Sequence, residues 1–128
     1  MAWEFAWAFT GRTDAAAVCL ARAFRELEAA PPPSREPARR RAVWRAVVDA
    51  CRQQVGVKPP GAPESGDPRL STLLDLPLEL REAILLLRYH GASADDLGGA
   101  LGCSPEAALG RAQRALIRIA LTRAMPSS

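Results

Sequence analysis

The chain has 128 residues, 48 % of them hydrophobic, 5 % aromatic and 24 % charged, with a formal net charge of +3. That length suits one ordinary domain or two small ones, and the apolar share is enough for a packed core. A charge this mild excludes a general electrostatic sponge for nucleic acid, and the apolar runs are too short to span a bilayer.

The positive charge is instead concentrated, in Arg35 to Arg52 and again in Arg111 to Arg123, and Lys58 is the only lysine. Arginine in such clusters favours bidentate contacts to phosphate or guanine over diffuse attraction. Cys19, Cys51 and Cys103 are odd in number and far apart, no Cys-x-x-Cys pair exists, and His90 is the only histidine. We therefore expect no metal site, and three buried thiols in a reducing compartment. Met1 to Thr10 has no basic leading region and contains Glu4, so no signal peptide is expected and the protein reads as cytoplasmic.

In chain order, Ala2 to Thr10 reads as a short helix with Trp3/Trp7 and Phe5/Phe9 at four-residue spacing, expected to anchor the core. Gly11 breaks it, and Thr13 or Asp14 opens a second helix to about Ala29, with Val18, Leu20, Phe24 and Leu27 as its apolar stripe. Pro31-Pro32-Pro33 ends that helix. A third helix is expected from about Glu36 to Gln54, with Val43, Val47, Ala50 and Cys51 inward, Trp44 and Val48 on the flank, and Arg39, Arg40, Arg41, Arg45 and Arg52 outward. Asp49 is the only acid in the middle of that run, too few for pairing along the helix to explain its arginines.

Residues 55–67 include Lys58-Pro59-Pro60-Gly61-Ala62-Pro63 and Ser65-Gly66, which reads as a flexible, semi-extended linker and a domain boundary. Asp67-Pro68 starts a short helix through Leu74, and Leu76-Pro77 leads into another, Glu79 to Tyr89, striped by Leu80, Ile84 and Leu87. Ser93 then stands at an N-cap, Asp95 and Asp96 fill a first turn, and Leu97 and Leu101 share a face. Gly102 suits a left-handed helix end, Ser104 a new cap and Pro105 the first helical position, so the last helix runs from there to about Met125. Two helices meeting at so tight a corner, the second carrying Arg111, Arg114 and Arg118 against the single acid Glu106, form a helix-turn-helix with a basic second helix. The expected fold is all-α: a helical lobe over 1–54, a linker over 55–67, and a helix-turn-helix lobe over 68–128.

These residues resemble a family. Leu76-Pro77, Arg81, Arg88-Tyr89, Gly91, Ser93, Asp95-Asp96, Leu101-Gly102-Cys103-Ser104, Arg111 and Arg114-Ala115-Leu116 fall at the spacing of region four of the bacterial sigma-seventy family, in its extracytoplasmic-function form. Thr10-Gly11, Ala16, Phe24 and Leu27, then Arg41 to Arg52 with Asp49, are similar to region two. The resemblance implies a region-two-like domain that meets RNA polymerase and the unwound −10 element. It also implies a region-four-like domain that reads the −35 element. Two departures stand out. Val18, Ala21 and Arg22 occupy the acidic and amide positions of the family's polymerase-binding helix, and Ala107-Ala108-Leu109-Gly110 replaces its Thr-Val-Lys-Ser.

The expected function is that of a sigma-factor-like transcription regulator binding promoter DNA, with RNA polymerase core as partner. Ser104, Pro105, Glu106, Leu109, Arg111, Arg114 and Arg118 are its candidate DNA contacts. Arg39, Arg40, Arg41, Trp44 and Arg45 are candidates for the −10 strand or for polymerase. The alternative is a degenerate sigma-like interaction module that binds another sigma factor, an anti-sigma factor or polymerase, or forms a homodimer. The apolar Ala107, Ala108 and Leu109 favour that alternative. No nucleophile lies beside a base and no glycine-rich phosphate loop is present, so neither enzyme activity nor a cofactor is expected.

Overall fold

The computed structural model describes residues 2–57, 63–90 and 93–124. Among them there are seven helices and no strand: α1 (Ala2–Thr10), α2 (Thr13–Ala29), α3 (Ala38–Val57), α4 (Pro68–Leu74), α5 (Leu78–His90), α6 (Ala94–Leu101) and α7 (Pro105–Ala124). The expected linker segment Lys58 to Ala62, Gly91 and the expected helix end at Met125 lie outside the described residues.

Helix α1 turns Phe5 and Phe9 into the core, their rings stacked 5.8 Å apart, and Trp44 of α3 meets Phe5 edge-on at 5.6 Å. Such aromatic pairs add about 0.5–1.5 kcal/mol beyond the area they bury. Trp3 and Trp7 fall on the other side of α1, where Trp7 is half-buried against the edge of the core and Trp3 is 40 % exposed. The face that α2 buries also differs from the expected one. Ala16, Cys19 and Ala23 are inside, whereas Val18 and Phe24 are exposed. Small residues at i, i+3 and i+7 let α2 lie close on α1 and α3, which a stripe of larger side chains would hold apart. On α3 the buried face is broader than expected and takes in Trp44, Ala46, Val47, Val48, Ala50 and Cys51.

One continuous cluster joins Phe5, Phe9, Cys19, Trp44, Val48, Leu85, Leu86, Leu97, Ala108 and Ala112. Residues from both halves of the chain therefore share a core, with α5 at its centre between α1, α6 and α7. Helix α5 is buried on nearly every side, Arg81 and Glu82 included. Arg81 forms no ion pair among the described residues. It donates to the carbonyls of Phe9 (3.0 Å), Leu74 (2.6 Å) and Leu76 (3.1 Å), and its guanidinium lies 5.4 Å over the Phe9 ring. Those carbonyls close α1 and α4, so one side chain satisfies two helix C-termini and places its charge where their dipoles favour it. Burial nonetheless lowers the Arg81 pKa from its usual value.

The end of the expected linker is fixed in place. Glu64 N donates to the Gly11 carbonyl at 3.0 Å, and the Glu64 carboxylate accepts from Thr13 N (2.5 Å) and Thr13 Oγ1 (2.8 Å). These bonds cap the first turn of α2, hold the Glu64 carboxyl below the usual range, and tie residues 63–67 to the corner between α1 and α2.

Candidate nucleic-acid interface

The corner between α6 and α7 is built from local chemistry. Ser93 Oγ accepts from Asp96 N at 3.2 Å and opens α6. Gly102 closes it with φ 77°, a left-handed conformation that side chains disfavour. Gly102 N and Cys103 N both donate to the Gly98 carbonyl, at 2.8 and 3.0 Å, and fold the chain back over α6. A Cβ on Gly98 would come within 2.7 Å of the Cys103 carbonyl oxygen, so the fold-back requires glycine there too. Ser104 Oγ then accepts from Ala107 N at 3.1 Å, and Pro105 begins α7.

Helix α7 presents three different faces. Ala108, Ala112 and Ala115 are buried and form a seam of small side chains against α5 and α6. At 100° per residue, Arg111, Arg114 and Arg118 make a ridge along one flank, about 10 Å from first to last. Arg111 is half-buried, Arg114 and Arg118 are exposed, and among the described residues none of the three meets a carboxylate. Leu109 and Leu116 fall on the opposite flank and Ile117 on the outer side between the two, exposed by 42, 51 and 58 %. Ser104 and Glu106 are exposed at the helix start, and Pro105 is half-buried.

The arginines of α3 are differently placed. Arg41 Nε reaches Asp96 Oδ1 at 2.6 Å, and Arg40 Nη2 reaches Asp96 Oδ2 at 3.2 Å. Asp96 is 5 % exposed, and Arg41 above all, with Arg40 and Ser93, lowers its pKa. Arg45 bonds Asp49 at 3.2 Å, and its guanidinium packs on Gly102 at the corner. Arg52 grips the buried Glu82 of α5 through two bonds of 2.6 Å and also donates to the Leu101 carbonyl at 3.3 Å. Glu82 is the chief cause that raises the Arg52 pKa.

The α3 surface is thus not the open arginine face expected of a strand-binding helix. Trp44 is 8 % exposed and offers no free ring face for a base. Arg40, Arg41 and Arg45 are engaged within the molecule, and only Arg39 of that set is exposed without an ion pair among the described residues. Two of the carboxylates responsible lie on other helices: Asp96 in the first turn of α6, where spacing along the chain shows only its place on the helix dipole, and Glu82 on α5, whose apolar residues on every side mark it as buried all round.

Cys19, Cys51 and Cys103 are free thiols, the first two buried. Donating its hydrogen bond to Cys19, together with burial, pushes the Cys51 thiol up. Among the described residues no group of side chains could hold a metal ion, and no helix is long and apolar enough to cross a membrane. Compared with family models, curated proteins and solved structures, the chain has no match.

Proposed function

We propose that this protein is a sigma-factor-like transcription regulator that binds promoter DNA through α6, the Gly102–Ser104 corner and α7. The observation that carries this reading is the ridge of Arg111, Arg114 and Arg118, left without carboxylate partners on a helix whose start is exposed at Ser104. In a chain that pairs Arg12, Arg40, Arg41, Arg45, Arg52 and Arg69 with carboxylates, an unneutralised row about 10 Å long suits a phosphate backbone or guanine edges. Ser104 and the N-terminus of α7 would face a phosphate, and Glu106 would accept from a cytosine amine. RNA polymerase core is the expected partner in initiation. The α3 arginines take no part in this reading.

The test is fluorescence anisotropy of the full chain on duplexes selected from a random pool, repeated across salt concentrations. Three phosphate contacts predict a log-log salt slope of about −3, and removing all three arginines should abolish it. Failure to select or bind any duplex at low salt would overturn the proposal.

One observation favours the interaction module as a second reading. Leu109, Leu116, Ile117 and Leu121 are half of the exposed large hydrophobic side chains among the described residues, and all lie on α7. A protein contact there would depend weakly on salt, unlike the arginine ridge.

A further inference from the structure

An open groove of about 670 Å³ lies between α1, α4, α5 and α7. Its walls are mainly apolar and come from far apart in the chain: Trp7 of α1, Leu70 and Leu73 of α4, Leu87 of α5, Leu116 and Ile119 of α7. That volume and lining match sites that take small organic ligands. The charged residues along it are Asp67, Arg69 and Arg88. Arg69 and Asp67 neutralise each other, with Nη2 to Oδ2 at 3.0 Å and Nε to Oδ1 at 3.3 Å. Arg88 has no such partner among the described residues; its guanidinium lies 5.8 Å over the Tyr89 ring. The groove therefore combines apolar walls with one positive charge left over.

We propose that this groove binds a small apolar monocarboxylate, its hydrocarbon body against Trp7, Leu73, Leu87 and Leu116 and its carboxylate on Arg88. Burial of the hydrocarbon supplies affinity, and the guanidinium selects an anion over an alcohol or an amine of equal length. Because the walls come from α1 and α7, an occupant bridges the N-terminal half of the chain to the last helix.

Isothermal calorimetry on the full chain tests this with decanoate, 1-decanol and decylamine, each kept below its aggregation concentration. Decanoate should bind at one equivalent, about tenfold tighter than either analogue, as expected for one charge-assisted contact. Arg88→Gln, at an exposed position that does not disturb the core, should erase the advantage of decanoate over decanol while leaving decanol binding unchanged. Leu87→Phe should weaken all three by narrowing the groove. Equal affinity for the three probes, a carboxylate preference that survives Arg88→Gln, or the lack of saturable binding would each overturn the proposal.

Discussion

Helices α3 and α7 are each 20 residues long and each rich in arginine, yet the two sets have opposite fates. Arginines of α3 turn toward Asp96, Asp49 and Glu82 and stitch three helices together. Those of α7 stand along its flank without carboxylates among the described residues. The same side chain is a structural tie in one place and an available cation in the other. What separates the cases is the nearby acid, supplied by neighbouring helices at Asp96 and Glu82 and by α3 itself at Asp49, not the arginine pattern itself.

The sharpest way to break this comparison is Arg52→Ala. It would leave the buried Glu82 carboxylate without its two bonds of 2.6 Å. Urea unfolding should show a loss of about 3–5 kcal/mol, the usual cost of orphaning a buried charge. Arg41→Ala removes one of two guanidinium partners of Asp96, so the same measurement should show a smaller loss, about 2 kcal/mol.

The Asp96 contact also has a pH signature. Its carboxyl titrates lower in the folded chain than in the unfolded one, chiefly because of Arg41. The stabilisation is complete above the unfolded value of about 4 and disappears as pH falls through the folded value. Asp96→Asn should therefore flatten the acid limb of stability against pH relative to the native chain. On α7 the expectations reverse. Gly110→Ala meets nothing within 4 Å and should stabilise the helix by up to about 1 kcal/mol. Arg114→Ala and Arg118→Ala should change unfolding free energy by less than about 0.5 kcal/mol while weakening duplex binding. A large stability loss at either position would erase the distinction between the two helices.

The corner at Gly102 and Ser104 was legible in the sequence because caps and left-handed glycines are local chemistry, decided within four residues. The all-helical class was legible for a similar reason, from apolar spacing and from Pro31-Pro32-Pro33. The fate of the α3 arginines was not. Asp49 answers Arg45 from within α3 itself, but the other partners lie 30 residues away at Glu82 and 55 away at Asp96, and no pattern along α3 points to those two. The packing face of α2 was half legible: Leu20 and Leu27 do pack against the core, but apolar weight also favours Val18 and Phe24, whereas close helix contact selects Ala16, Cys19 and Ala23. Within the candidate site, the arginine ridge follows from spacing alone. The groove between α1, α4, α5 and α7 does not, since its walls come from four helices.

The cluster that runs from Phe5 through Trp44 and Leu86 to Ala112 has a consequence for how the chain could be divided. Supplied as separate polypeptides spanning 2–57 and 63–124, each piece would expose apolar surface that only the other covers. Neither would make a portable module, and the pair should reassemble on mixing as a split protein does.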